Sequence, residues 1–185
     1  MELALWILIG VIALLLIIFI ALYNKLIILR NRMQNAWAQI DVQLKRRIDL
    51  IPNLIETVKG YMKHERTVFK EITEARSSLM KAGNLKEKAK ASNQISDALK
   101  TIFAVAENYP NLKANENFMM LQEELAGTEN KISYSRQFYN DSVMQMNTSV
   151  QTFPTNVIAN MFGFKGQQEY FEAEEAAKKP IQVKF

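Results

Sequence analysis

Residues 3–22 read LALWILIGVIALLLIIFIAL, a run of twenty residues without a charged side chain. Fifteen of them are Leu, Ile, Val or Phe. A helix of this length extends about 30 Å, which matches the hydrocarbon core of a bilayer. The run therefore predicts one transmembrane helix. A cleaved signal peptide is the alternative, but it would have a basic start, a shorter apolar core and a small-x-small cleavage site, which this segment lacks.

The residues that flank the run predict its anchoring and its orientation. Trp6 and Tyr23 lie near its two ends, where aromatic side chains commonly sit in the interfacial layers of a membrane. Cations follow the run but do not precede it, and such residues stay in the cytoplasm. We therefore expect the N-terminus outside and the bulk of the chain inside, anchored on the cytoplasmic side by Lys25, Arg30 and Arg32.

Beyond the apolar run, hydrophobic residues recur every three or four positions, which is the period of an amphipathic helix. No stop signal separates the two patterns, so the membrane helix should run directly into the first cytoplasmic helix. Pro52 predicts a kink, because it lacks a backbone donor. Gly60 is a second weak point, yet the pattern continues to Leu79. The stripe comprises Leu29, Met33, Trp37, Ile40, Leu44, Ile48, Ile51, Ile55, Val58 and Met62, then Phe69, Ile72 and Leu79.

The rest of the chain shows the same helical period. We expect a second helix over residues 85–108, a third from about 115 to 152, and a short one from Thr155 to about Met161. One or two further helical turns are expected around residues 170–178, before an extended end. Helices that each hide one apolar stripe form a bundle. The predicted fold is all-α: a transmembrane helix that continues into an elongated antiparallel helical bundle.

This reading divides the chain into three parts. Residues 1–24 form the short external N-terminus and the membrane helix, residues 25–162 form the cytoplasmic bundle, and residues 163–185 form an aromatic-rich tail.

Several strings closely resemble the LemA family of bacterial membrane proteins, over nearly the whole chain. They are RNRMQNAW (30–37), IDVQLKRR (40–47), DLIPNL (49–54), ETVKGY (56–61), YPNLKAN (109–115), LQEEL (121–125), RQFYND (136–141) and FPTN (153–156). The resemblance implies a single-pass protein of the bacterial inner membrane with a cytoplasmic helical bundle. It implies no known reaction and no catalytic residues. Genes of the family often lie near those of membrane metalloproteases, which points to such a protease as a partner and to envelope quality control.

Several residue types and motifs that catalysis commonly uses are absent from the sequence. The chain has no cysteine, and its one histidine, His64, lies in a charged stretch typical of a solvated surface. There is no Glu-x-x-His pair for a di-iron site and no phosphate-binding loop. The net charge of +4 is spread out, and Lys45, Arg46 and Arg47 are interpreted as surface charge, so we expect no nucleic-acid partner. We expect no catalytic residue, no cofactor and no metal site.

Polar residues at helical spacing suggest a contact within the bundle. Asp49, Asn53 and Glu56 lie on one face of the first helix, and Arg136 and Asn140 lie one turn apart on the third. We hypothesise that they meet in a polar seam that fixes helix register. The alternative is two separate solvated faces.

The aromatic residues of the C-terminal tail should bury their rings, either on this bundle or on another chain. They are Phe162, Phe164, Tyr170, Phe171 and Phe185.

The leading functional interpretation is a non-enzymatic membrane-anchored scaffold or adaptor. Its partners would be the lipid bilayer, other membrane proteins and further copies of the chain. Two alternatives stay open: a carboxylate-based metal hydrolase that uses Asp49 and Glu56, and a membrane stress sensor that transmits a bend at Pro52 or Gly60.

Overall fold

The computed structural model describes residues 1–62, 64–164 and 168–171. The fold is all-α: helices pack together into a bundle, and the described residues contain no strand, which confirms the predicted fold class. The helices are α1 (Glu2–Lys59), α2 (Arg66–Lys81), α3 (Leu85–Ala106), α4 (Pro110–Lys113), α5 (Glu116–Gln151) and α6 (Thr155–Met161).

The apolar N-terminal run and the first amphipathic segment belong to one uninterrupted helix, α1, as predicted. Among the described helices, it alone is long and apolar enough to cross a membrane. Residues 1–18 are all exposed, so most of the apolar run makes little contact with the other described residues. Pro52 lies inside α1. The kink expected at Pro52 stays a prediction.

The predicted continuation of the first helix to Leu79 is wrong, because α1 ends at Lys59 and α2 begins only at Arg66. The backbone N–H groups of Tyr61 and Met62 both donate to the carbonyl of Val58, at 3.0 and 2.9 Å, and close the last turn. The break falls at Gly60, which disfavours the helix by about 1 kcal/mol relative to alanine. The apolar period nevertheless runs through it, because Met62 lies in the turn and is still buried.

The other helix boundaries follow capping residues. Asn84 precedes α3 and accepts a hydrogen bond from the N–H of Glu87 at 2.9 Å, while the Glu87 carboxylate accepts one from the N–H of Gly83 at 2.8 Å. This reciprocal pair satisfies N–H groups at the helix start. Asn115 caps α5 in the same way, by accepting from the N–H of Phe118 at 3.0 Å. The predicted bounds of α3, α5 and α6 are confirmed within two residues, whereas the single turn α4 was not expected.

The chain divides into two compact units. Unit 1 comprises the described residues within 1–38 and 137–170, and unit 2 comprises those within 39–136 together with residue 171. The domain boundaries predicted at residues 24 and 162 remain predictions.

The core of unit 1 joins α1, α5 and α6. Leu26 and Leu29 of α1 are buried against residues of the other two helices, and Phe19, Leu22 and Tyr23 pack partly against the same cluster. The buried partners are Met146, Val150, Ile158 and Ala159. The packed part of unit 1 therefore begins where the apolar run ends.

In unit 2, the residues of α1 that are buried differ slightly from those of the predicted stripe. Ile48 and Ile55 are only half-buried, whereas Arg47 and Leu54 take the buried positions. Both patterns satisfy a helical period, and packing against neighbouring helices selects one of them. The observed line is Ile40, Leu44, Arg47, Ile51, Leu54 and Val58, and α2 and α3 pack directly on each other.

Candidate functional site

The predicted membrane anchors lie along α1 between residues 6 and 32. Trp6 is 69% exposed, and most other large side chains of the apolar run are exposed to a similar degree. Lys25, Arg30 and Arg32 are exposed, and Arg32 also donates to the side-chain oxygen of Gln145 at 3.2 Å. Their membrane role stays a prediction.

Tyr23 lies in an aromatic cluster of unit 1 rather than standing free. Its ring centroid is 4.7 Å from that of Phe162 and 6.2 Å from that of Phe164. Phe162 also contacts Phe19, at 5.8 Å between centroids. Gly163 makes this double contact feasible: its φ of +66° turns the chain back at the end of α6, so that the residues on either side of it both reach Tyr23.

A cavity of about 450 Å³ lies beside this cluster, between α1, α5 and the end of α6. Phe162 and Met146 contribute apolar wall, and Arg30 and Gln34 contribute polar groups. Among the described residues, its lining contains no histidine or carboxylate side chain. The cavity therefore offers space for an amphipathic group.

Side chains of α5 hold the segment 168–170 through hydrogen bonds to its backbone. Asn147 donates through Nδ2 to the carbonyl of Gln168 at 3.1 Å and accepts from the Gln168 N–H at 2.7 Å. The hydroxyl of Tyr139 donates to the carbonyl of Glu169 at 3.1 Å. Burial, with a further contribution from the Glu169 charge, raises the pKa of Tyr139. Trp37 packs against the Tyr139 ring, at 5.8 Å between centroids.

Unit 2 contains a buried arginine. The Arg47 side chain is only 1% exposed, and its guanidinium donates to the carboxylate of Glu129. The same group donates to the hydroxyl of Ser96 at 3.1 Å and to the backbone carbonyl of Ser92 at 3.4 Å. Glu129 Oε1 also accepts from Ser96 at 3.1 Å. Arg47 thus joins α1 to both α3 and α5.

A second cation completes this network. Arg136 donates to the Ser92 hydroxyl at 2.7 Å, and its guanidinium carbon lies 4.6 Å from the ring centroid of Phe171. Burial is the main cause of a lowered pKa for Arg47; the charge of Arg136 lowers it further, and Glu129 opposes the shift. Arginine stays protonated at neutral pH even so, because the pKa of a guanidinium group lies far above neutrality. The network is a set of charged hydrogen bonds that connects α1, α3 and α5 within unit 2.

The residues of the predicted polar seam lie in different surroundings. Asp49, Asn53 and Glu56 are exposed on α1 in unit 2. Arg136 is half-buried and bonded to α3, and Asn140 is half-buried in unit 1. The seam itself stays a prediction.

The predicted aromatic tail residues differ in burial. Phe171 is only 1% exposed and Phe164 is half-buried, whereas Phe162 and Tyr170 are 48% and 44% exposed. Phe185 and most of the predicted helical segment 170–178 lie outside the described residues.

The interpretation of Arg47 as surface charge is wrong, although it holds for Lys45 and Arg46, which are exposed. One sequence signal could have identified it: Arg47 lies three residues after Leu44 and four before Ile51, within the apolar period. Its partners on α3, Ser92 and Ser96, are one turn apart on the face that buries Ile95 and Leu99. Nothing local in the sequence marks Glu129 as the counter-charge.

The other chemically active residue types are dispersed. His64 is exposed, in agreement with its charged surroundings. Within the described part of the chain, no three His, Asp or Glu side chains are grouped closely enough to hold a metal ion.

Comparison with known proteins identifies relatives that are named either MamQ or LemA. Magnetosome protein MamQ 1 of Paramagnetospirillum magneticum is 24% identical in an alignment that covers 86% of this chain and 68% of the relative. Magnetosome protein MamQ of Magnetospirillum gryphiswaldense is 23% identical over the same shares. Protein LemA of Metamycoplasma hominis is 27% identical over 143 residues, which cover 77% of this chain and 65% of the relative.

The family comparison covers the packed part of the chain. The model of the LemA family matches residues 36–185, most of the sequence and all of the described helices beyond α1. The match begins after the apolar run, so it does not depend on hydrophobicity alone. This chain belongs to the LemA family.

Proposed function

We propose that this chain is a non-enzymatic, membrane-anchored helical scaffold that binds a partner membrane protein at the cytoplasmic face of a bacterial inner membrane. The exposed apolar start of α1 supports the anchor. The same helix continues without a loop into the core of unit 1 at Leu26 and Leu29. A partner bound to such a scaffold would be held near the membrane, which raises its effective concentration there.

The orientation of the proposed anchor rests on charge. Lys25, Arg30 and Arg32 are exposed directly after the apolar run, and cations of this kind favour the cytoplasmic side. Protease added to intact spheroplasts should therefore leave the chain beyond residue 25 intact, and should digest it after the membrane is permeabilised. Digestion before permeabilisation would contradict this orientation.

The observation that carries the proposal is an exposed stripe on α5 within unit 2, formed by Met120, Gly127 and Tyr134. These residues are spaced by seven, so they lie on one side of the helix. Met120 is 66% exposed and Tyr134 is 75% exposed, and a Cβ atom added at Gly127 would meet no atom within 4 Å. We call this stripe the α5 face.

The α5 face has the form that a partner helix would use. Two large side chains flank a glycine, and the glycine leaves room for another helix to approach closely. Helix recognition commonly relies on apolar contacts repeated at such spacing. The partner would be an amphipathic helix of another membrane protein, for which a membrane metalloprotease is one candidate, or the same face of a second copy.

The test is photocrosslinking in living cells with the full chain. A photoreactive amino acid replaces Tyr134 in one variant and Ser133 in the matched control, since Ser133 is also exposed but points about 100° away around the helix. We expect a discrete crosslinked product from position 134 and none from position 133. Mass spectrometry of the product identifies the partner, and a product that contains only this chain assigns the face to self-association.

Gly127→Leu supplies the second arm. A Cβ at position 127 would meet no atom within 4 Å, so we expect leucine to occupy the space on the α5 face with thermal stability kept, while the product from position 134 is lost. Equal products from positions 133 and 134, or a product unaffected by Gly127→Leu, would contradict the proposed face.

A further inference from the structure

The short helix α6 buries one side and exposes the other. Thr155, Ile158 and Ala159 are buried in unit 1. Val157 and Met161 are one turn apart on the opposite side and are 57% and 69% exposed. Aromatic residues flank the helix and enlarge this apolar surface: Phe153 is 82% exposed and Phe162 is 48% exposed.

Ring contacts fix the position of this surface along α1. Phe162 lies against Phe19 and Tyr23, at centroid distances of 5.8 and 4.7 Å. Phe19 belongs to the uncharged run 3–22, and it precedes Tyr23 by four residues, or about 6 Å along a helix. If the run spans a bilayer, Phe162 lies at the depth where the hydrocarbon core meets the headgroups.

The charge pattern of the sequence agrees with that depth. Residues 142–164, which include the end of α5 and all of α6, contain no Asp, Glu, Lys or Arg. This is the longest uncharged stretch beyond residue 24. Charged side chains are costly close to hydrocarbon, whereas the surfaces of water-exposed helices elsewhere in the chain carry them freely.

We propose that α6, together with Phe153 and Phe162, forms a second membrane contact that lies in the interfacial layer of the leaflet from which α1 emerges. The occupant of the exposed apolar surface is the lipid bilayer itself. Interfacial helices of other proteins bury an apolar face at this depth in the same way. With two attachments, unit 1 would be fixed against the membrane instead of pivoting on one helix. The inference rests on the proposed membrane anchor.

The absence of native cysteine permits a direct test, because a single introduced cysteine carries the only label. The full chain is reconstituted in vesicles of bacterial phospholipids, with a nitroxide at Val157→Cys or Met161→Cys. Collision with oxygen, which concentrates in lipid, is compared with collision with a water-soluble nickel chelate. Ile12→Cys serves as the control in the apolar run, and Thr101→Cys, exposed in unit 2, serves as the aqueous control.

We expect the labels at positions 157 and 161 to favour oxygen over the nickel chelate, as the label at position 12 does and the label at position 101 does not. If positions 157 and 161 resemble position 101 while position 12 favours oxygen, the second contact is refuted and the anchor stands. If position 12 is itself aqueous, both are refuted. Labels that are shielded from both reagents and show spin–spin broadening, relieved by unlabelled chain, would mean that a second copy covers α6, which also refutes the bilayer as occupant.

Discussion

The side chain of Arg47 is only 1% exposed, and its guanidinium forms an ion pair with Glu129, whose side chain is 39% exposed. The two ends of this ion pair therefore differ in their access to water. Removing Glu129 should therefore lower the stability of the protein more than removing Arg47, because a buried charge without its counter-charge is far less stable than a charge that water can reach.

Glu129→Ala should lower the stability of the protein by about 3 kcal/mol, toward the low end for a broken buried pair because Glu129 is partly hydrated. Arg47→Met keeps the apolar stem and leaves only a carboxylate that solvent can reach, so it should cost clearly less. Thermal unfolding of the full chain in detergent, followed by circular dichroism, measures both. The double variant should be more stable than Glu129→Ala, and equal losses for the two single variants would contradict this account.

Asn147→Ala should release the backbone at Gln168. The side chain makes two hydrogen bonds to that residue, at 2.7 and 3.1 Å, and each contributes about 1 kcal/mol. Hydrogen exchange of the Gln168 amide should become faster by tenfold or more, while amides in α3 stay unchanged. Asn160→Ala, at an exposed position of α6, is the control. Unchanged exchange at Gln168 would show that other contacts hold the segment.

Tyr139 should make the stability of unit 1 fall at alkaline pH. Burial and the Glu169 charge raise the pKa of Tyr139 above that of an unfolded tyrosine, about 10. The unfolded chain thus loses this proton first, so the stabilising contribution is complete below about pH 10 and is lost as pH rises through the folded value.

Tyr139→Phe tests this dependence. The variant should be slightly less stable at pH 8, because it loses the hydrogen bond to the Glu169 carbonyl, worth about 1 kcal/mol. Its unfolding temperature should then fall less than that of the parent protein between about pH 9.5 and 11.5. Tyr134→Phe, at a 75% exposed position, should follow the parent curve. Identical curves for the Tyr139 variant and the parent would refute the assignment.

Substitution by alanine should have opposite effects on stability at two glycines. Gly163 has a φ of +66°, where alanine is strained, so Gly163→Ala should cost about 1–2 kcal/mol although an added Cβ atom would meet no atom within 4 Å. Gly60 has no positive φ and is equally open, so Gly60→Ala should stabilise the protein by about 0.4–1 kcal/mol. Unfolding temperatures of both variants measure the difference. A loss at Gly60 of the same size would mean that the turn after α1 needs glycine.

Much of the secondary structure follows from local signals in the sequence. The starts of α3 and α5 could be predicted because Asn84 and Asn115 are residues that commonly cap a helix N-terminus. The sequence also indicates the start of α6, where Pro154 precedes Thr155. The turn at Gly60 was harder to predict, because the apolar period runs through it and periodicity alone does not record a change of helix direction.

The candidate site was less predictable. Ser92, Ser96 and Glu129 carry no local mark of their contact with Arg47, since residues 45 or more positions apart meet only when α3 and α5 pack on α1. Likewise, the pairing of Asn147 with Gln168 depends on where the chain returns after α6.

The sequence by itself determined the helical fold class, the apolar run that predicts a membrane anchor and the family, because hydrophobic period, length and local motifs are properties of neighbouring residues. Only the tertiary structure decided that Arg47 is buried, that Phe162 lies beside Phe19 and that the α5 face is exposed. The physical reason is that burial depends on which helix faces meet, and several phases of one amphipathic stripe satisfy the same sequence pattern until packing selects one.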